Sequence, residues 1–456
     1  MAMNPQIHEP ARTVPVIHEC DVCVVGGSCT GVFAALRAAE LGASVALIEN
    51  NGFFGGVATA GLVSIWHSRF DTLGRLGIIG GLTSKVIESL ARRGAAVLHA
   101  NDPSKYATLN TAELAIELDA MIVAQPRLRP FLHTRFVQPV VEAGRITAAI
   151  IEDKTGRRAI RASIFIDASG DGDLLARAGL PSRRLGDVQP PTTCALIHGI
   201  EAVARANPGF SLGAAVHDVR FPGALKQGFL WSVGVTGVPD ATMVAGTRIH
   251  HADCSDADQL TRAEIEGRRQ VRAMRDILHD HFAGGEAVSL IALPAYIGIR
   301  ETRHAECLHT LTEMEVLEGV RFPDAIANGS YRVDVHHSDR AGLTFRHLDG
   351  SEIYHAPGAP GVASRWRAPR EVDPTFYQIP YRSLVPRGSF NLLVAGRLMD
   401  ADRGAYGAVR VMVNCNQTGE AVGVAAVLAQ RAGCPVGEVP VERLRSTLAE
   451  LGAIIL

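Results

Sequence analysis

Residues 21–49 constrain this chain more than any other stretch. Asp21–Val25 is a short β-branched apolar run of the kind that lies buried in a parallel sheet. It breaks into Gly26-Gly27-Ser28-Cys29-Thr30-Gly31, and an alanine-rich helical pattern, VFAALRAAELG, follows and is closed by Gly42. A second apolar run, Ala43–Ile48, ends on Glu49. Strand, glycine turn, helix, strand and acid in this order make a β-α-β unit that binds a dinucleotide. Gly26 permits the turn, Gly31 lets the helix pack on the strand, and the helix N-terminus offers N–H groups to a pyrophosphate. Glu49 is placed to accept hydrogen bonds from an adenosine ribose, and its charge disfavours a 2′-phosphate ligand such as NADP. Ser28 stands where the pattern has its middle glycine; it is small, and its hydroxyl can itself contact phosphate.

The choice between dinucleotides falls to the rest of the chain. Residues 50–61, NNGFFGGVATAG, allow close backbone approach to an extended ligand, although an ordinary flexible loop has the same composition. The run IRASIFIDASGDGDLLARAGL carries a strand into Ala168–Asp173 and then a helix, a second glycine turn at a strand's carboxyl end. Asn391–Arg397 repeats the arrangement and leads through Gly404–Val413 to NCNQTG and the helix EAVGVAAVLAQRAG. That helix N-terminus suits a flavin edge or a pyrophosphate.

With the further stretches GIRETRHAECLHTLTEMEVLEGVRFPDAIANGSYRVDVH, IPYRSLVP and AGRLMDADRGAYGAVRVMVNCNQTGEAVG, the chain resembles the FAD-dependent oxidoreductase family, distantly related to the glutathione-reductase and fumarate-reductase flavoproteins. The resemblance spans about residues 19–432. It implies FAD as cofactor, with Gly26, Gly27, Ser28, Gly31 and Glu49 on its ADP half and Asn50 among the binding residues. Gly55, Gly56, Ala58 and Thr59 are expected along the ribityl and flavin, and Ser169 and Gly170 on the adenosine side. Gly396, Arg397, Arg410, Met412, Asn414 and Gly419 are expected toward the ribityl or isoalloxazine, and Val137 is expected to cap the adenine through its backbone.

The expected fold class is α/β: a Rossmann-type FAD-binding domain with a β-meander, plus an inserted α+β substrate domain. The meander is the alternating stretch FLHTRFVQPVVEAGRITAAIIED, turning at Ala143-Gly144-Arg145. Expected boundaries are 19–184 and 375–432 for the discontinuous FAD domain, 185–374 for the insert, and 433–456 for a C-terminal helix. The insert carries no second glycine fingerprint after a strand, so no separate NAD(P)H domain is expected. Electrons then come from a small-molecule substrate and leave to an acceptor such as oxygen or a quinone.

Four residues are candidates for chemistry. Arg300, with Arg303 and His304 in GIRETRH, can clamp an anionic substrate, and the same residues fit a structural ion-pair cluster with Glu301 and Glu306. The resembled family usually has an arginine where His304 stands. His336 and His337 are adjacent in a strand and point oppositely, so no metal is assigned; His336 is taken to face the flavin. His67 follows the glycine-rich loop and can reach the isoalloxazine face, or simply bond within its loop. The leading expectation is hydride transfer between a polar substrate and flavin N5. A monooxygenase that borrows NAD(P)H transiently, and a non-catalytic flavoprotein or redox sensor, are the alternatives.

Composition excludes other classes. A net charge of −2 without a basic stripe argues against nucleic acid. No apolar run approaches the roughly 18 residues of a membrane span, and the first residues lack an apolar signal core, so a cytoplasmic location is expected. Of eight cysteines, Cys20 and Cys23 form C-x-x-C, but in a strand they face opposite sides and make a poor redox pair. The segment ERLRSTLAELGAIIL is patterned as an amphipathic helix, which allows a homo-oligomer.

Overall fold

A computed structural model describes residues 6–102, 105–186, 188–337 and 340–456. Its central sheet runs, in spatial order, Leu128–Phe131, Val45–Ile48, Val16–Val25, Gly156–Asp167, Arg145–Asp153, Arg135–Glu142. The first four strands are mutually parallel. Val22–Val25 and Val45–Ile48 are buried throughout, as their unbroken apolar runs require.

Gly156–Asp167 is long enough to serve two functions. Its first half pairs antiparallel with Arg145–Asp153, completing the meander with Arg135–Glu142. Its last residues, Phe165–Asp167, pair in parallel with Leu392–Val394, which returns from far along the chain. The turn into the meander's second strand uses positive φ at Ala143 and Gly144. This is the Rossmann-type α/β fold with a meander.

Two helices cover one face of this sheet at very short range. Cys29–Glu40 is buried over all but its last residue. It runs parallel to Met412–Ala432, whose glycines press on its backbone. A Cβ at Gly419 would lie 2.1 Å from the Thr30 carbonyl oxygen, and one at Gly423 2.3 Å from that of Ala34. The contact is locked by Arg37, fully buried, whose Nη2 donates to Glu420 Oε2 at 2.5 Å and to the Leu451 carbonyl at 3.0 Å. Glu420 also accepts the Leu82 N–H in the first turn of helix Gly81–Arg92. One buried ion pair thus ties four segments together.

The middle of the chain builds two further antiparallel sheets. One orders Trp231–Gly234, Ala241–Ala245, Ala195–His198 and Ser289–Ala292, with the 25-residue helix Ala257–His281 contributing Val271, Met274 and Leu278 to the same core. The other orders Val333–His336, Leu343–Arg346, Ser351–His355 and Val362–Arg365. Between them in sequence, Ala325–Gly329 pairs with Tyr377–Pro380 and packs on helix Met412–Ala432.

Past residue 433 the helix is shorter than expected, Val441–Glu450. Its buried Leu444 and Leu448 join this chain's own core, so its apolar face is not left over for a neighbour. The chain end is held by Asn328 Nδ2 to the Ile454 carbonyl and Gln378 Nε2 to Leu456, both at 2.8 Å. Cys20 and Cys23 are free thiols, and burial pushes Cys20 up to about 12. Among the described residues no helix is long and apolar enough to cross a membrane.

Replacing Glu420 by Ala leaves the buried Arg37 with only the partly exposed Glu40 as a carboxylate partner, a loss of roughly 1–3 kcal/mol. Thermal denaturation is expected to show a clearly lowered Tm for Glu420→Ala. Much of the loss should return in the double variant Arg37→Met, Glu420→Leu, and a single variant melting with the parent contradicts the locking role.

Candidate active site

The glycine turn has the geometry its sequence demands. Gly26 sits at φ 103°, and a Cβ there would lie 2.4 Å from the Ala168 carbonyl oxygen. A Cβ at Gly31 would lie 1.8 Å from the Gly26 carbonyl oxygen, so strand, turn and helix close on one another without side chains. Helix Cys29–Glu40 begins at Ser28 and helix Met412–Ala432 after Val411, and neither N-terminus is capped by a side chain. Both open on one channel of about 100 Å³, bordered by Ser28, Cys29, Thr30, Ser169, Gly170, Gly396 and Arg397. In the same channel Asn416 Oδ1 and Arg397 Nη1 are buried without a hydrogen-bond partner among the described residues. Two uncapped dipole ends and an unpartnered guanidinium N–H fit an anionic pyrophosphate, so the residues present suit FAD.

The other expected cofactor residues fall into three groups. Gly55, Gly56, Ala58 and Thr59 form a tight loop against the turn: Gly55 bridges Ser28, and Thr59 Oγ1 donates to the Phe54 carbonyl at 2.7 Å. Gly27 donates its N–H to Glu49 Oε2 at 2.8 Å, and Asn51 donates backbone and side-chain N–H groups to Oε1 at 2.7 Å. Asn51 therefore orients this acid, whereas Asn50 is exposed. Ser169 Oγ donates to Asp167 Oδ1 at 2.6 Å, and burial raises that carboxyl to about 6. Gly396 donates to Thr418 Oγ1, and Met412 borders the channel.

Three residues stand differently from expectation. Asn414 turns into the core, donating to Tyr377 Oη at 2.9 Å and to the Ala408 carbonyl at 3.2 Å. Gly419 serves the helix contact with Thr30 and does not border the channel. Cys415 and Asn416 face the channel instead. The spacing 412, 415, 416, 419 is one helical face, and it separates these positions from 414. Val137 is the residue skipped where the register shifts between Phe136 and Gln138, and its carbonyl accepts from Arg177.

A cavity of about 600 Å³ adjoins the channel, and Val57, Ile299, Arg397, Arg410 and Met412 border both. His67, Arg300 and His336 all line it. His67 packs on Tyr331 with ring centroids 4.9 Å apart and makes no hydrogen bond among the described residues. Burial, reinforced by Arg332 and Arg410, pushes it down to about 4. His336 Nδ1 accepts from Arg248 Nε at 3.4 Å, and its Nε2 lies 3.4 Å from Asp334 Oδ1. Burial and then Arg300, Arg248 and Arg410 hold His336 well below its ordinary range. Both rings are neutral near pH 7.

His304 does not join them. It is fully buried, its Nε2 lies 2.8 Å from Glu301 Oε1, and its ring stands edge-on to Tyr406 at 4.4 Å. Glu301 Oε2 accepts the Gln189 N–H at 2.7 Å, so this pair holds the strand and lines neither the channel nor this cavity. Arg303 likewise donates to the Asp171 carbonyl. Arg248 and Arg332 line the cavity and have no motif to announce them; only the tertiary fold brings them to Arg300. Among the described residues no group of three or more His, Cys, Asp or Glu could hold a metal ion.

Fold and site together define a dinucleotide-binding flavoprotein with a substrate-sized cavity beside its cofactor channel. The chain belongs to the FAD dependent oxidoreductase family, whose sequence pattern matches residues 21–448, and FAD is its cofactor. A comparison with curated proteins finds no match. Among solved structures it is similar to a geranylgeranyl bacteriochlorophyll reductase-like protein from Thermoplasma acidophilum, at 12% identity over 95% of this chain and 84% of that one, TM-score 0.48. It is similar to p-nitrophenol 4-monooxygenase PnpA from Pseudomonas putida DLL-E4, at 12% identity over 95% and 86%, TM-score 0.46. It is also similar to the flavin-dependent brominase Bmp2, at 11% over 94% and 83%, TM-score 0.45.

The neutral His67 gives a pH signature. Unfolded, the ring takes its proton near 6.5; folded, only near 4. The unfolded chain binds the extra proton in that window, so the His67 contribution lowers stability as pH falls through it. Urea midpoints are expected to drop from about pH 7 to about pH 4.5, and by less in His67→Gln. The same pH dependence in both proteins contradicts the assignment.

Proposed function

We propose that this protein oxidises a polar small molecule by hydride transfer to FAD, the chemistry taking place in the 600 Å³ cavity beside the channel. The carrying observation is the shared wall: Val57, Ile299, Arg397, Arg410 and Met412 border channel and cavity alike, so a molecule in one adjoins a ligand in the other. Bound there, FAD supplies a two-electron acceptor, while the protein supplies orientation and exclusion of water. In this reading Gly26, Gly27, Ser28 and Gly31 hold the pyrophosphate, Glu49 the adenosine ribose, and Arg397, Met412, Cys415 and Asn416 the flavin end.

His67 is assigned as the proton acceptor. It lines the cavity, is neutral, and has no hydrogen bond to break before taking a proton. Its basicity is held down after burial by Arg332 and Arg410, so an anion near those cations raises it when the substrate arrives. His336, tethered between Arg248 and Asp334, is a positioning residue. Arg410, bonded to Gln189 Oε1 and Asp334 Oδ2 at 3.1 Å each, fixes the wall between channel and cavity.

The test is an anaerobic absorbance spectrum of the purified flavoprotein against hydroxy and amino compounds. At least one is expected to bleach the flavin without NADPH, and His67→Gln is expected to slow bleaching by roughly 10²–10⁴-fold with FAD content unchanged. Bleaching by NADPH alone, with every compound inert, contradicts the hydride-transfer reading.

A further inference from the structure

We propose that the substrate carries a carboxylate, seated between Arg300, Arg248 and Arg332, with an apolar or aromatic body against Phe229, Trp231 and Phe345. The inference rests on the reading of this cavity as the substrate site, and it names the substrate's class.

Charge sets this cavity apart. Five arginines line the cavity against two aspartates, Asp71 and Asp334. Asp334 is paired with Arg410, and Asp71 Oδ1 is spent on the backbone N–H groups of Arg75 and Leu76. Arg397 has Asp171 at 3.1 Å. That leaves Arg248, Arg300 and Arg332, none of which has a carboxylate partner among the described residues. Arg248 is only 4% exposed, and its N–H groups end on neutral acceptors: Thr192 Oγ1, the carbonyls of Thr247 and Phe229, and His336. Burial pushes it down to about 10, and burial and then Arg248 hold Arg300 well below its ordinary range. Arginine stays charged in proteins, so clustered buried cations of this kind are costly until an anion joins them.

Donor geometry then selects the anion. Arg300 spends only Nη1, on the Pro190 carbonyl at 2.6 Å and Thr192 Oγ1 at 2.5 Å. Its Nε–Nη2 edge makes no hydrogen bond among the described residues, and two parallel N–H groups match the two oxygens of a carboxylate. Arg332 is held by ring faces alone, 3.7 Å from the Phe345 centroid and 5.0 Å from that of Tyr331, and its buried Nε is unpartnered. Its whole fork is available. The nitrogens of Arg248 are already committed, so it adds charge to this seat and no donors. About 600 Å³ is far more than a carboxylate fills, and Phe229, Trp231 and Phe345 give the rest of the ligand an aromatic wall to pack on, with Ser68, Thr72, Ser232 and Ser330 among the polar lining.

The test uses the FAD-loaded protein and reads binding without turnover, through the change in flavin absorbance on titration. Benzoate is the probe, with benzamide as its neutral counterpart and phenyl phosphate as the competing anion. Benzoate is expected to give a saturable change, and benzamide to bind roughly tenfold to a hundredfold more weakly. Arg332→Gln is expected to weaken benzoate by about the same factor at unchanged FAD content, since this guanidinium makes no hydrogen bond that folding needs. The benzoate–benzamide comparison in the parent protein stands even if the variant fails to fold. Equal binding of benzoate and benzamide, no saturable change with benzoate, stronger binding of phenyl phosphate, or a folded Arg332→Gln that binds benzoate like the parent each overturns the proposal. Benzoate binding through Arg332 in a protein whose flavin no compound bleaches leaves this inference standing and removes only the hydride-transfer reading.

Discussion

The site depends on how closely two helices approach. Helix Met412–Ala432 lies on helix Cys29–Glu40 with Gly419 against Thr30 and Gly423 against Ala34, at distances where no Cβ fits. Parallel packing sets both N-termini on the same side of the sheet, where two uncapped dipole ends share one channel. Were the helices a side chain further apart, the second dipole would move off the pyrophosphate position and the channel would lose its closed wall. The Arg37–Glu420 pair holds this contact and fastens helix Gly81–Arg92 and the C-terminal turn to it. Removing two charges from water is expensive, and here the return is a rigid junction of four chain segments.

The junction also positions the cavity. Arg397 and Arg410 stand at the boundary, each with its own aspartate, so the cofactor side carries balanced charge. Deeper in, Arg248, Arg300 and Arg332 carry charge that the protein leaves unbalanced. His67 and His336 are kept neutral by burial among these cations, and an arriving anion changes that balance. In the proposed function, substrate recognition and proton transfer are coupled through one electrostatic field.

Local chemistry made the cofactor half legible from sequence. The turn at 26–31, the apolar strands and the Glu49 terminus each follow from short-range requirements, and the meander followed from alternation and a glycine turn. The helix face at 412–419 was half legible: Met412 was found, but Asn414 was taken for a channel residue although it lies off the 412–415–416–419 face. The cavity was harder because its charges come from separate segments at 248, 300 and 332, each unremarkable in its own context. GIRETRH shows the limit well. Arg300 reaches the cavity, whereas His304, four residues on, is sealed against Glu301 and Tyr406. Spacing within the motif does not tell which side of a short, irregular strand faces the ligand.

In the proposed arrangement FAD lies with its pyrophosphate between the two helix N-termini and its flavin toward the arginine-lined cavity. A crystal structure of the FAD-loaded protein tests it most directly. Pyrophosphate density is expected within hydrogen-bond reach of the backbone at residues 28–30, and the isoalloxazine beside Arg397, Met412 and Asn416. A cofactor bound elsewhere, or a flavin ring turned away from the wall shared with the cavity, would contradict it.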